Sequence, residues 1–525
     1  MKPKLSIIGQ FPWHSLLFGI YPVLTLYAYN INEVIPDVVI RPLIVTVLLT
    51  LTLLGILKLL FRDWHRAALV TSVLLILFFS YGHVYNYLKT MNLIGLILGR
   101  HRYLLPLWAV LGGLLVWWMT RKSVNPRAWT SPLNLIAVFI LLFPVYQLTD
   151  YALRNVRAST DQAETAHNPQ ELHLPTDQPP PDIYYIILDS YGRSDVLREF
   201  YNLDNTPFLD ELIAMGFYVA SCSQSNYTQT VLSLTSSLNL NYLEALDDEF
   251  VAGNTDRSPL RNLVRNNFVR RTLEGLGYKT VTFKTGLPAT EWEEADVYLE
   301  PTQSWFRVNE FEFMLIQTTL GRLLQDAAKK LIPPEEKGTP NWYRERTLFA
   351  LAALEDYVPS LRGPKFVFAH IITPHFPFVF GPNGEAIEPV YFKPWDDPDK
   401  ADFETYAIGY RNQVIYISRE ITRVVQQMIS KSQTPPIIII QADHGPTPWE
   451  HVENRTYILN AYYLPHGSEA LYETISPVNT FRVIFNSYFG GDYGLLEDIS
   501  YQSWYKRPYD FTVIPNQCDH SQTPP

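Results

Sequence analysis

Five apolar stretches run almost without interruption through the first 149 residues, over positions 12–31, 38–61, 67–88, 103–120 and 132–149. Each approaches the ~20 residues that a helix needs to cross the bilayer core. Five such runs in so short a segment exceed what a soluble core buries, so they predict a polytopic membrane domain of about five helices. A cleaved leader does not suit the first stretch, because four similar ones follow and no small-residue cleavage site is evident. Residues 150–182 turn polar and end in Pro179-Pro180-Pro181, the pattern of a linker that the prolines extend. Beyond it, apolar runs suited to strands (183–188, 217–220, 279–283, 365–371, 437–441, 457–464) alternate with helical patterns (207–215, 259–276, 310–331, 342–357, 403–429, 478–488). That alternation predicts an α/β domain around a mainly parallel central sheet. The expected organisation is therefore a transmembrane domain at 1–149, a linker at 150–182 and an external domain at 183–525.

Charge divides the chain at the same place. The net charge of -10 over 525 residues combines 12 Lys+Arg against 3 Asp+Glu in residues 1–149 with 30 against 49 in the remainder. The mean hydropathy of -0.04 averages over this division. A nucleic-acid partner is excluded, because the basic residues flank apolar runs instead of forming a stripe. Lys2, Lys4, Arg62, Arg66, Arg121, Lys122 and Arg127 fall on one side of the expected bundle, whereas Glu33 and Asp37, with the fewer bases Lys89, Arg100 and Arg102, fall on the other. The positive-inside tendency then puts the first set in the cytoplasm and, with an odd helix count, everything after Asp150 outside it. The expected location is a cell membrane, crossed several times, with the α/β domain extracytoplasmic. Few ionisable residues lie in mid-span, which argues against an ion-translocating path. Two cysteines, Cys222 and Cys518, allow one disulfide but no cysteine-based zinc site.

In parallel α/β sheets chemistry gathers beyond the carboxyl ends of the strands. Three polar groups fall there: Asp189-Ser190 after 183–188, Asp443-His444-Gly445 after 437–441, and His370 with His375 at the end of 365–371. Singly, each is an ordinary cap, turn or structural histidine. Together they offer two carboxylates and up to three imidazoles at one sheet edge, a donor set that suits zinc or manganese better than magnesium or calcium. The hydroxyl-rich stretch from Ser225 to Ser237 would open a helix, whose terminal amides favour an anion. A hydroxyl there, close to a divalent metal, becomes a usable nucleophile at neutral pH.

From about residue 182 to 490 the pattern resembles the alkaline phosphatase/sulfatase superfamily. It is most similar to the membrane-anchored branch of lipoteichoic-acid synthases and phosphoethanolamine transferases. The residues that carry the resemblance are Ile186-Ile187-Leu188-Asp189, Thr230 with Ser233, His370-x4-His375-x-Pro377 and Asp443-His444-Gly445, in the family's order. The resemblance implies an alkaline-phosphatase-like fold in which Asp189, Thr230, Asp443 and His444 bind one divalent metal. It implies Thr230 as the nucleophile, with Thr228 as competitor, and His375 as a group that contacts the transferred moiety or protonates the leaving group. His370 stands beside it as a weaker substrate-binding candidate. Phe283-Lys284-Thr285-Gly286 with Trp292 falls where the lipoteichoic-acid branch has Phe-His-Gly and a Trp, which implies substrate-binding roles for Lys284 and Trp292; a solvated strand-end lysine is the plain alternative for Lys284.

Two departures shape the expectation. The Cys/Ser-x-Pro-x-Arg signature of formylglycine sulfatases is absent, which disfavours a typical sulfatase. Where two-metal members carry a further histidine before a late strand, this chain has Asn454-Arg455-Thr456-Tyr457, with His451 nearby; one metal is expected. The Asn226-Tyr227-Thr228 sequon reads as coincidence. The expected activity is transfer of a phospho-head group from a membrane lipid or lipid-linked substrate, through a threonine-linked intermediate, to a cell-envelope acceptor. A hydrolase with the same site, and an inactive binding protein that keeps the fold, are the alternatives.

Overall fold

The computed structural model describes residues 11–31, 33–89, 91–93, 96–97, 99–121, 123–161, 171–174, 179–302, 307–331, 342–390, 403–446, 455–516 and 518. The chain forms two compact units, Met1–Leu153 with Ser304–Pro340, and Arg154–Gln303 with Asn341–Pro525.

In the first unit all five apolar stretches are helical: α1 (His14–Tyr29), α2 (Asp37–Phe61), α3 (Trp64–Lys89), α4 (His101–Thr120) and α5 (Pro126–Asp161). Four of them, α2 to α5, are long and apolar enough to cross a membrane. The first has 16 residues, about 24 Å at 1.5 Å per residue, which is short of the ~30 Å hydrocarbon core. The expected linker does not begin at 150. Residues 150–161 contain neither Gly nor Pro, so nothing stops α5 before Asp161.

The pattern at 310–331 gives two helices, Glu310–Thr318 and Arg322–Leu331, and they belong to the first unit although they were expected in the external domain. Asn309 caps the first in a reciprocal capping box with Glu312. Arg41 of α2 grips the Glu312 carboxylate and donates to the Arg307 carbonyl at 2.7 Å. His101 of α4 meets Asp326 at 2.8 Å, and the Leu320 amide donates to the Phe78 carbonyl. An Arg–Glu ion pair on the first helix and a His–Asp contact on the second thus tie this insertion to helices of its own unit.

The second unit is built on a seven-stranded sheet. Its strands are β1 (Ile183–Leu188), β2 (Tyr218–Val219), β3 (Lys279–Phe283), β4 (Val297–Leu299), β5 (Lys365–Ile371), β6 (Ile437–Gln441) and β7 (Asn460–Tyr463), in the spatial order β2-β7-β6-β1-β5-β3-β4. The β6-β1, β1-β5, β5-β3 and β3-β4 pairs are parallel; β6-β7 and β7-β2 are antiparallel. β1 lies at the centre and reads as a continuous apolar run because both faces are covered. Tyr184, Ile186 and Leu188 enter one core, whereas Ile183, Tyr185 and Ile187 enter the other. The long helix Phe403–Lys431 supplies Tyr410, Val414, Ile417 and Ile421 to the first core. The helices Thr230–Leu238 and Pro477–Phe489 supply Leu234, Leu238, Phe481 and Phe485 to the second.

Several boundaries differ from the sequence expectation. The run 259–276 is broken into Ser258–Arg265 and Phe268–Gly275, because the Asn267 side chain accepts the Arg270 amide and starts a new helix. A C-terminal hairpin, β8 (Ser500–Trp504) and β9 (Arg507–Ile514), was not foreseen. The two cysteines form one disulfide, Cys222–Cys518, with Cα atoms 5.4 Å apart.

Candidate metal centre

Strand register brings the chemistry together. Ile187 of β1 lies beside His370 of β5 and beside Gln441 of β6. The residues that follow β1 and β6 therefore emerge at one sheet edge, next to the end of β5. Ser190 turns the chain sharply after Asp189 with φ 67°, a region that costs an L-residue roughly 1–2 kcal/mol. That turn is held by three bonds: the Ser190 amide donates to Asp443 Oδ1, its hydroxyl to the Gly445 carbonyl, and its carbonyl accepts from Tyr410. One backbone contact, His375 N to Asp189 O at 3.1 Å, fixes the loop after β5 over the same edge.

Around His444 Nε2 three oxygens converge: Thr230 Oγ1 at 3.4 Å, Asp443 Oδ2 at 3.6 Å and Asp189 Oδ1 at 3.8 Å. Four ligands at the ~2.0–2.1 Å bond lengths of a tetrahedral N/O site stand about 3.4 Å apart. Both carboxylate oxygens in this set are buried and have no hydrogen-bond partner among the described residues. Two buried, unpartnered carboxylates this close to one another favour a cation between them. The imidazole is prepared for the same task. Its Nδ1–H donates to the Gly445 carbonyl at 2.8 Å, so the Nε2 lone pair faces the oxygens. Burial, with Arg455 and His375 nearby, outweighs the two carboxylates and lowers the His444 pKa, which keeps the ring neutral. These residues fit one divalent metal ion. His375 extends the cluster, since a ligand atom from each of Asp189, His375 and His444 lies within 4.8 Å of the others.

Asp189 is fully buried, yet the neighbouring His375, His370 and His444 overcome that desolvation and hold its carboxyl below the usual range. His370 acts from behind. Its Nε2 lies against Asp189 Oδ2 and its Nδ1 against the Thr290 hydroxyl, each at 3.2 Å. The His370 side chain is fully buried, and a ligand atom from each of Asp189, His370 and Asp443 lies within 4.8 Å of the others.

The other expected site residues are placed differently. Thr230 is half-buried at the start of its helix, whereas Thr228 is buried. Trp292 is completely buried and stacks on Phe368 with centroids 4.3 Å apart. It packs into the second core of the sheet. Lys284 directly follows β3 and pairs with Glu300 at 2.6 Å, the plain reading for a strand-end lysine. The turn after it needs Gly286, with φ 84°, because a Cβ there would lie 2.6 Å from the Arg346 guanidinium. Asn226 is fully buried, and its amide donates to Tyr242, Ser476 and the Ile499 carbonyl, so the sequon presents no free acceptor. His451 lies outside the described residues.

Sequence reasoning missed Arg455 as a member of the site. Its Nη2 lies 3.4 Å from His444 Nε2, and its carbonyl accepts the Gly445 amide. Burial lowers its pKa, opposed by Tyr406, Asp443 and Asp189. The signal available was a lone charge that opens an apolar run.

No family model matches the chain, and the search of curated proteins returns no match. Solved structures do match. The integral membrane protein lipooligosaccharide phosphoethanolamine transferase A from Neisseria meningitidis is 12% identical over 92% of this chain and 96% of that one, with a TM-score of 0.37. The C-terminal periplasmic domain of EcEptC from Escherichia coli, in complex with Zn, is 12% identical over 65% of this chain and 94% of that one, with a TM-score of 0.38. A putative sulfatase from Bacteroides thetaiotaomicron is 13% identical over 62% and 78%, with a TM-score of 0.39. Likeness at these scores assigns no chemistry to this chain.

Proposed function

We propose that this protein is a membrane-anchored, metal-dependent phosphotransferase of the alkaline phosphatase/sulfatase type. It passes a phospho-head group from a membrane lipid through Thr230 to a cell-envelope acceptor outside the cytoplasm. The observation that carries this reading is the convergence of Thr230 Oγ1, Asp443 Oδ2 and Asp189 Oδ1 on His444 Nε2 at 3.4–3.8 Å. Four apolar helices supply the anchor, and the basic flanks support a catalytic unit outside the cytoplasm. The disulfide suits that oxidising side.

Asp189, Asp443, His444 and Thr230 would hold one ion, manganese or zinc by donor type. When bound, such an ion lowers the proton affinity of the Thr230 hydroxyl and offsets charge on the phosphoryl group. The Thr230 hydroxyl gives its proton to solvent before attack, and its Oγ attacks phosphorus as the alkoxide that the second half regenerates; the Oγ–P bond forms while the bond from phosphorus to the lipid alcohol breaks. His375 delivers a proton to the departing oxygen from Nε2, because its Nδ1 is committed to the Phe376 carbonyl. In the second half the acceptor hydroxyl gives its proton to His375 and attacks phosphorus, and the bond to Thr230 breaks. Water in the acceptor's place makes the same site a phosphodiesterase.

The test is mass spectrometry of the Thr230 peptide after incubation with a lipid donor and no acceptor. A head-group adduct that an added acceptor discharges supports the reading; turnover with Thr230 never modified rules it out. Product analysis with and without a sugar hydroxyl acceptor separates transfer from hydrolysis.

A further inference from the structure

One face of the long helix Phe403–Lys431 reaches two loops of the site. Tyr410 and Gln413 stand three positions apart on it, so their side chains leave the same face. Both are completely buried. The Tyr410 hydroxyl donates to the Ser190 carbonyl at 2.8 Å and accepts the Gly192 amide at 3.0 Å. It thereby closes the turn at Ser190, whose amide donates to Asp443 Oδ1 and leaves Oδ2 for an ion. The Gln413 amide nitrogen donates to the Pro374 and His375 carbonyls, each at 3.0 Å. Its oxygen accepts the Val379 amide at 2.8 Å.

Both loops lean on outside support. Ser190 sits at φ 67°, a region that an L-residue keeps only where its surroundings hold it. Pro374 and Pro377 bring no N–H to the loop that carries His375, and Gln413 supplies donors to its carbonyls. A glutamine that spends both N–H groups and its oxygen on one loop fixes where that loop lies. The two loops also meet, through the His375 amide on the Asp189 carbonyl. A shift of about 1 Å in either would separate the ligands from the proton donor, an error that can cost roughly a hundredfold in rate.

We propose that Tyr410 and Gln413 are positioning residues of this site: Tyr410 sets the turn that holds both metal carboxylates, and Gln413 sets the loop from which His375 delivers its proton. Because they share one helix face, the two halves of the site keep a fixed register. This rests on the metal and proton-transfer reading given above.

Full-length protein in detergent, freed of metal by a chelator, would be titrated with Mn2+ as wild type, Y410F, Q413M and Y201F. Y410F should bind Mn2+ about ten- to a hundredfold more weakly, the scale for losing a partner that orients a ligand. Q413M should keep the wild-type affinity. The Mn2+-saturated proteins would then be assayed for release of p-nitrophenolate from bis(p-nitrophenyl) phosphate and of phenol from diphenyl phosphate. The first leaving group departs without a proton, whereas the second departs better with one. Q413M should therefore lose about tenfold or more with diphenyl phosphate and little with the nitrophenyl ester, while Y410F keeps the wild-type ratio of the two rates. Y201F removes a hydroxyl that has no partner among the described residues, on a ring 4.6 Å from that of Tyr410, and should match wild type throughout. Unchanged Mn2+ affinity in Y410F, or an unchanged ratio of the two rates in Q413M, overturns the proposal. So does weakened Mn2+ affinity in Q413M, which assigns the pair to packing. Each variant can overturn it alone, so one that fails to fold leaves the other decisive. A wild-type chain that binds no Mn2+, or releases neither product when loaded, overturns the reading above, and this proposal with it.

Discussion

The His370 imidazole is wholly buried and holds Asp189 in place, with Nε2 3.2 Å from Asp189 Oδ2. The Thr290 hydroxyl holds the ring from the other side, 3.2 Å from Nδ1. A partner of this kind orients a ligand and raises its basicity, and its loss typically weakens metal binding by about 10- to 100-fold. His370→Ala is therefore expected to weaken Mn2+ or Zn2+ affinity by that factor, measured by titration of chelator-treated protein. Unchanged affinity would remove His370 from the site.

The two threonines at the head of the helix should separate cleanly. Thr230→Ala is expected to lower turnover by roughly a thousandfold or more, the scale for loss of a nucleophile. Thr228→Ala, at a buried position, should show normal turnover. Steady-state kinetics on both variants, with the adduct assay alongside, decides between them.

Trp292 and Lys284 should behave as structural residues. Trp292→Ala empties a fully buried position stacked on Phe368, at a cost of about 3–5 kcal/mol. Thermal unfolding would show it, while KM for a lipid donor changes little in whatever folds. Lys284→Ala breaks a part-exposed pair with Glu300, worth ~0–1 kcal/mol. A large rise in KM for either variant would restore the substrate-binding role.

His444 sets a pH dependence in the metal-free protein. Its folded pKa is depressed below 6.5, chiefly by burial. As pH falls below 6.5 the unfolded chain takes up a proton that the folded chain refuses, so stability drops until the folded pKa is reached. Chelator-treated wild type should lose thermal stability between pH 7.5 and 5.5 more steeply than His444→Asn. Parallel curves would show that this histidine is not held neutral by the fold.

Much of the α/β unit was legible because its central strands are buried on both faces. An uninterrupted run such as Ile183–Leu188 or Ile437–Gln441 has few other places to go. The β8-β9 hairpin was missed because its exposed, mixed residues, Trp504 and Tyr505 among them, carry no such constraint. Asn267 and the Thr319–Gly321 break show why helix ends were misjudged: a side-chain cap redirects the backbone at little cost to the apolar pattern.

By itself the sequence determined the five apolar helices, the alternating α/β half, and Asp189, Asp443 and His444 at strand ends, because hydrophobic periodicity and strand termini are local properties. Only the tertiary structure decided which side chains meet. It buried His370 behind Asp189, turned Trp292 into the core, drew residues 310–331 into the first unit, and set the Arg455 guanidinium beside the His444 ring. Strand order and side-chain direction fix those encounters, and neither is written in any local stretch of the chain.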